Sequence, residues 1–336
     1  MHRSRNDTLD IIKLFASYMV VFIHVLFYGT VGITIDALAR FSVPLFFLVS
    51  GFYSYQASPD KIKHRLLQLL RLLLLAGIVY TCYNVLILLL KNTPQEIVSY
   101  FRAYIIPRNL LKLIIFNAPI HTTHLWYLYA AVYVYCLLLL ITICKIPSRL
   151  VYILSAIALL LHLFLGEVLS VFNVSLSPLL TRNFALMGFP FFVLGMLVNQ
   201  YYHKFANLPN ILIFVFIILG IFETLLSRYL FGKKELYLGS IFILVSLVLI
   251  FIKYPSIKYP SILLSLTSCS TYIYIFHPMI ASMTRKIYTL IGFDYASSVA
   301  LQMIHPVITC VLSTIFAFIL VKLVHSYKSR KQDGAD

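Results

Sequence analysis

The chain has 336 residues, of which 61% are hydrophobic and only 11% are charged, and its formal net charge is +16. Ordinary soluble domains contain about 25% charged residues, so this composition excludes a soluble globular protein and predicts an all-α integral membrane protein. Most cations flank apolar runs, so membrane orientation and anionic lipid headgroups explain the charge, and nucleic acid is not an expected partner.

Ten apolar runs approach or exceed the roughly 20 residues that a membrane span needs. They cover residues 9–29, 39–56, 66–90, 124–144, 150–171, 183–200, 209–228, 237–253, 262–284 and 300–323. No cleavable leader pattern precedes the first run, so we expect it to be retained as a span. Residues 96–117 are amphipathic and interrupted by Pro107, and we expect interfacial helices there. A single polytopic domain over 1–330 and a loose cytoplasmic tail over 331–336 complete the predicted organisation.

The lysines and arginines of the loops predict the orientation of these spans. With the N-terminus inside, the inner loops receive a modest excess of cations, including the cluster Lys61, Lys63 and Arg65. Cytoplasmic loops carry such an excess in membrane proteins. We therefore expect both termini to be cytoplasmic.

The first run, LDIIKLFASYMVVFIHVLFYG, carries three ionisable residues although it is apolar enough to enter a bilayer. At about 100° per helical residue, Asp10, Lys13, Ser17 and His24 fall within an arc of about 60°. Polar groups that face lipid are costly, so this stripe is expected to face protein or water. Lys13 would lie near the cytoplasmic edge, and His24 about 16 Å further along the axis. A packing histidine and a lysine that reaches the inner surface are the alternatives.

The stretch LDIIKLFASYMVVFIHV resembles the opening of the bacterial acyltransferase type 3 family, which reads L-D-x-x-R, ten residues, then histidine. Asp10 and His24 match this pattern, whereas Lys13 replaces the usual arginine and so keeps the charge without the planar guanidinium. Four later stretches resemble family elements in the same order: RFSVPLFFLVSGFYSY, HLWYLYAAVYVY, RNFALMGFPFFVLGMLV and STYIYIFHPMI. The chain is thus similar to this family over most of its length, and within it to the enterobacterial common antigen O-acetyltransferase branch.

The resemblance implies a multi-pass O-acyltransferase of the bacterial inner membrane that modifies a cell-envelope polysaccharide. It implies acetyl-CoA as the default acyl donor, a saccharide or glycolipid acceptor, and membrane lipids as partners. The donor's phosphates would lie near Lys13, Arg65 and Arg71, because arginine pairs well with phosphate. A positive-inside loop explains the same cations without any ligand. The oligomeric state is not predicted.

Counting residues along the predicted spans places several polar side chains in the outer half of the membrane, where the resemblance implies that they meet. The candidates for substrate binding are Ser50, His124, Trp126, Arg182 and His277, and Glu223 lies at a similar depth. Each has a plain alternative. Trp126 fits an aromatic belt, and His124 an ordinary interfacial histidine. Arg182 could contact only lipid headgroups, the Glu223 carboxylate could be partly hydrated, and Ser50 could donate a hydrogen bond to its own helix. Pro278 leaves the carbonyl of Tyr274 without a helical donor, so His277 has a structural alternative as well.

The predicted mechanism centres on His24, with Glu223 and Asp10 as further catalytic candidates. Neutral His24 would act as general base on an acceptor hydroxyl or carry the acyl group transiently. Glu223 or Asp10 would orient or balance it, although Asp10 has a nearer partner in Lys13, one turn away. No helical histidine pair has metal-ligand spacing, so no metal is expected. A glycan or small-anion transporter or flippase is the main alternative function, and a membrane anchor or sensor module is the second.

Overall fold

The computed structural model describes residues 6–91, 93–174 and 176–333, and every regular element in them is helical. The first nine α-helices are α1 Asp7–His24, α2 Gly29–Leu38, α3 Ser42–Phe52, α4 Pro59–Leu90, α5 Pro94–Arg102, α6 Pro107–Phe116, α7 Trp126–Ile143, α8 Ser148–Leu163 and α9 Leu169–Val171. The others are α10 Pro178–Thr181, α11 Phe189–Gln200, α12 Tyr202–Ala206, α13 Ile211–Phe231, α14 Leu238–Lys253, α15 Ser261–Leu266, α16 Ser270–Leu290 and α17 Val299–Asp333. Short 3₁₀ or π turns join several of them. The predicted all-α class is confirmed.

Six helical runs among the described residues are long and apolar enough to cross a membrane. They are Gly29–Phe52, Pro59–Leu90, Thr123–Ile143, Ser148–Val171, Ile211–Phe231 and Val299–Val324, and Phe184–Gln200 and Leu238–Lys253 are shorter apolar helices. Such runs are those of a multi-pass membrane protein. The count of ten spans and the cytoplasmic placement of the termini stay predictions.

The first helix ends earlier than the apolar run predicts. Helix α1 stops at His24, Val25 leaves the helical region (φ −124°, ψ 88°), and Gly29 starts α2 with a φ of +64°. A Cβ at Gly32 would lie 2.0 Å from the carbonyl oxygen of Phe27, so only glycine permits this return of the chain. His24 therefore lies at a helix terminus beside a tight turn, instead of within a continuous span to residue 29.

Two compact units make up the chain. The first comprises Met1–Val43, Lys204–Leu230 and Leu238–Asp336, and the second comprises Pro44–His203 and Phe231–Tyr237. Both units are assembled from separate segments, so neither is a separable length of chain, and the single domain over 1–330 stays a prediction. Helix α17 ends at Asp333, and residues 334–336 of the predicted tail lie outside the described residues.

In the first unit, α1 is held against α16 and α17. Its buried apolar contacts form one cluster with those helices: Leu14, Val21, Val25, Cys269, Ile273, Ala281, Cys310 and Ala317. A polar contact adds to this packing, because Tyr18 and Thr314 share a hydrogen bond of 2.9 Å. Just before α1, the Asn6 amide donates to the Phe251 carbonyl of α14 at 2.9 Å. Helix α1 is thus anchored along its length, which fixes where its last residue lies.

In the second unit, α3 and α11 touch through their main chains. A Cβ at Gly51 would lie 1.7 Å from the Phe192 carbonyl oxygen, and one at Gly195 would lie 1.9 Å from the Leu48 oxygen. The Asn199 amide closes the same seam by donating to a carbonyl at the end of α3, at 2.6 Å. Two glycines of the apolar motifs are therefore explained by close backbone approach.

Candidate active site

Two residues that the sequence singles out, His24 and His277, lie side by side in the first unit. Their ring centroids are 5.2 Å apart, with 41° between the ring planes. His24 ends α1 and has an exposed side chain, whereas His277 is fully buried on α16. The packing of α1 against α16 therefore places the buried imidazole of His277 beside the accessible imidazole of His24.

The backbone of α16 fixes the hydrogen position on His277. Pro278 has no N–H, so the carbonyl of Tyr274 loses its helical donor. Nδ1 of His277 lies 2.8 Å from that oxygen and 3.2 Å from the carbonyl of Ile273. A carbonyl only accepts, so Nδ1 carries the hydrogen, and the neutral ring keeps its lone pair on Nε2. The expected need of the Tyr274 carbonyl for a partner is confirmed.

This pair can carry out proton chemistry. Imidazole is the side chain that changes charge most readily near neutral pH. A neutral His277 can accept a hydrogen bond at Nε2. If a neighbouring imidazole donates its N–H to that atom, its other ring nitrogen has a lone pair and can act as a base. An exposed imidazole supported by a buried one is a suitable arrangement for general acid–base catalysis.

The other end of the α1 stripe is a separate ion pair. Lys13 Nζ lies 3.0 Å from Asp10 Oδ1, which confirms the predicted pairing. The Ser17 hydroxyl, fully buried, donates to the Lys13 carbonyl at 2.9 Å, so it is satisfied by its own helix. The stripe thus contains an ion pair near the start of α1 and an imidazole at its end. The catalytic role of Asp10 and the donor-binding role of Lys13 stay predictions.

Glu223 has a structural contact that the sequence does not reveal. Its carboxylate accepts a hydrogen bond from the backbone N–H of Gly239, in the first turn of α14. Such N–H groups lack helical partners, and a carboxylate there also interacts favourably with the helix dipole. Gly239 allows this close approach, because a Cβ there would lie 2.3 Å from the Gly220 carbonyl oxygen and 2.5 Å from the Glu223 oxygen. The catalytic role of Glu223 stays a prediction.

In the second unit, a chain of hydrogen bonds holds Arg65. Its Nη1 donates to the Ser54 hydroxyl at 2.7 Å, and that hydroxyl donates to the Ser50 carbonyl at 2.7 Å. The Ser50 hydroxyl itself donates to the Phe46 carbonyl at 2.8 Å. This is the hydrogen bond to its own helix that is the alternative to a role in substrate binding. Arg71 is exposed on α4. Ser54 is a contact that sequence reasoning missed, although it lies one helical turn after Ser50.

Trp126 and Arg182 meet in the second unit. The Arg182 guanidinium lies 5.8 Å from the Trp126 ring centroid, and its Nη1 lies 3.9 Å from a carboxylate oxygen of Glu235. Both residues line a cavity of about 190 Å³. His124 is also buried, but its ring packs 4.8 Å from that of Tyr80 and does not line this cavity.

Lys112 and Asn109 of α6 line the same cavity, and sequence reasoning did not identify them. The amphipathic pattern of residues 96–117 correctly predicts helices broken at Pro107, which begins α6. That pattern does not tell which polar side chains face protein. Among the described residues, no three potential metal ligands lie close together.

A family model described as an acyltransferase domain matches residues 6–322, which is nearly the whole chain and includes both histidines of the pair. No curated protein and no solved structure matches the chain significantly.

Proposed function

The chain belongs to the acyltransferase family, and on that premise we propose that it transfers an acyl group from acyl-CoA to a hydroxyl of an envelope or lipid-linked saccharide. We propose that the acyl group is acetyl and that the protein acts in the bacterial inner membrane. Its reaction would be like that of the O-acetyltransferases that modify envelope polysaccharides. The observation that carries the proposal is the contact between the accessible imidazole of His24 and the buried imidazole of His277.

His24 acts as the general base in this proposal. The acceptor oxygen attacks the thioester carbonyl carbon while its proton passes to His24. The carbon–sulfur bond then breaks, and the leaving thiolate takes the proton from His24, so that the products are the ester and the free thiol. No proton is gained or lost overall, and the imidazole returns to its neutral form.

His277 is the positioning residue for His24. Its Nδ1 hydrogen is committed to Tyr274, so a neutral ring presents Nε2 as an acceptor. The ring centroids are 5.2 Å apart, and the proposed step brings an N–H of His24 within hydrogen-bonding distance of that atom. We prefer His277 to the two carboxylates in this role, because Asp10 pairs with Lys13 and Glu223 binds the start of α14. A base oriented by a third group is the general logic of such catalytic sets.

Cations near the predicted cytoplasmic ends bind the donor's phosphates. Arg65 spends one N–H on Ser54, which orients its planar fork and leaves further donors for phosphate oxygens. Arg71 is exposed.

Labelled acyl transfer by the purified full chain tests the proposal. We expect wild-type protein in detergent to release acyl groups from labelled acetyl-CoA and to label a saccharide fraction of the membrane. His24→Ala should reduce the rate about 10²–10⁴-fold, the usual contribution of a general base. His203→Ala, which removes an exposed histidine on α12, is the matched control and should not change the rate.

Two outcomes would contradict this function. Full activity of a monodisperse His24→Ala variant would remove His24 from the reaction. A wild-type protein that moves saccharide across liposome membranes but never consumes acetyl-CoA would be a transporter.

A further inference from the structure

The cavity of about 190 Å³ in the second unit has a distinct chemical character. At about 30 Å³ for each water, it has room for about six water molecules, similar to the space that one sugar ring fills. Lys112, Arg182, Asn109 and Thr123 supply polar groups to its lining, and Trp126 supplies an aromatic surface. Cations, an amide and a hydroxyl around an aromatic ring are chemically suited to an oxygen-rich ligand.

Buried side-chain hydrogen bonds fix the walls of this cavity. Asn117, fully buried at the end of α6, accepts from the Phe184 N–H at 2.7 Å and donates to the Trp126 carbonyl at 3.4 Å. It adopts a left-handed conformation, with φ at +47°. The Asn183 amide donates to the Leu179 carbonyl at 3.0 Å. Three chain segments that line the cavity are therefore held in place before any ligand arrives, which lowers the entropic cost of binding.

The electrostatic balance of the cavity favours an anion. Two cationic side chains, Lys112 and Arg182, line it, and among the described lining residues there is no carboxylate. Among the described residues, Arg182 has an ion-pair contact with Glu235 at 3.9 Å, which is longer than a hydrogen bond. Lys234, the neighbour of Glu235, is bonded to Glu167 and so adds little to the net charge. One carboxylate against two cations leaves positive charge in a partly buried site, where a bound anion is least screened.

We propose that this cavity binds a saccharide that carries a carboxylate or a phosphate, so that the acceptor of the reaction is an acidic glycan. Lys112 and Arg182 bind the anionic group, Asn109 and Thr123 bind hydroxyls, and Trp126 packs against the sugar ring. The assignment of this ligand as the acyl acceptor rests on the proposed function, whereas binding of the acidic saccharide does not.

Equilibrium binding to the full chain in detergent, without any acyl donor, tests the proposal. One probe pair is a tetrasaccharide of alternating glucuronate and N-acetylglucosamine and its carboxyl-reduced counterpart. The other is maltotetraose with and without a 6-phosphate. We expect the acidic member of at least one pair to bind about 10-fold or more tightly than its neutral counterpart, and the two pairs distinguish carboxylate from phosphate.

Substitutions at Lys112 assign the binding to the cavity. Lys112→Gln should weaken binding of the acidic probe about 10-fold, Lys112→Arg should retain it, and neither should change the weak binding of the neutral probe. Lys91→Gln removes an exposed cation at the end of α4 that does not line the cavity, so it serves as the charge-matched control and should bind as wild type does. Size-exclusion profiles confirm that the compared variants are folded.

The proposal would be overturned by equal affinity for the acidic and neutral members of both pairs, by no measurable binding of any acidic probe at millimolar concentration, or by unchanged affinity in Lys112→Gln. Displacement of the acidic probe by nanodiscs of phosphatidylglycerol, but not of phosphatidylcholine, would assign the cavity to a lipid headgroup and also overturn it. Failure of the acyltransferase proposal is separate, because it would appear as absent acyl release while acidic saccharide still binds.

Discussion

The first unit has a pair of imidazoles, one accessible and one buried, whereas the second unit has a cavity lined by a lysine and an arginine. His277 is bound to the backbone of its own helix, and it contacts His24 through its ring. Lysine and arginine side chains ordinarily carry a fixed positive charge near neutral pH, while imidazoles exchange protons readily. Under the two proposals above, one unit transfers protons and the other binds a fixed negative charge.

The largest expected effect separates these two tasks. His24→Ala should lower acyl transfer about 10²–10⁴-fold because it removes the general base. The same variant should bind the acidic tetrasaccharide with wild-type affinity, measured without donor. Lys112→Gln should show the reverse pattern, with a raised acceptor KM and an unchanged kcat. Loss of saccharide affinity in His24→Ala would break the comparison.

Pro278→Ala tests whether the backbone sets the His277 tautomer. Alanine restores an N–H donor for the Tyr274 carbonyl and removes a proline from the interior of α16, so the thermal unfolding temperature should stay the same or rise. Nδ1 of His277 then competes for that carbonyl, and we expect kcat to fall about 10-fold with a changed pH–rate profile. Wild-type kcat and pH dependence in this variant would show that the tie to Tyr274 has no part in catalysis.

Ser54→Ala sharpens the comparison within the second unit, because it leaves Arg65 in place but removes the hydroxyl that orients it. Hydrogen bonds to charged groups contribute about 1.5–3 kcal/mol, part of which water replaces at a half-buried site. We expect the KM for acetyl-CoA to rise about 3–10-fold at constant kcat. Ser99→Ala, on the exposed face of α5, is the control. An unchanged KM would mean that Arg65 needs no orientation by Ser54.

The smallest effect should come from salt. Raising NaCl from 50 to 500 mM shortens the screening length well below 10 Å. We expect the affinity for the acidic saccharide to fall about 3-fold, while turnover stays constant when both acetyl-CoA and a neutral acceptor are saturating at each salt concentration. Equal salt sensitivity of the two measurements would contradict the assignment of fixed charge to the cavity and neutral groups to the histidine pair.

The polar stripe of α1 could be read from the sequence because a helix has a fixed angular step. The ion pair of Asp10 with Lys13 follows directly from that step, and so does the need of Tyr274 for a donor near Pro278. These are local relations, set by residues within one turn of each other.

The contacts between distant segments could not be predicted in the same way. His24 and His277 are 253 residues apart in the chain, and no periodicity within either helix states which neighbour it meets. The end of α1 was also hidden, because the residues after His24 are as apolar as those before it. Lys112 was missed for the same reason, since an amphipathic helix does not reveal what its polar face contacts.

The seam between Gly51 and Gly195 has a consequence for attempts to make this protein more robust. Replacing a helical glycine by alanine ordinarily gains up to about 1 kcal/mol of helix propensity, and such substitutions are a usual first choice in thermostability engineering. Here an added methyl group would collide with a main-chain oxygen of the facing helix. Replacing either glycine by alanine is therefore expected to lower the stability of the protein, and a stabilisation library should leave both glycines untouched.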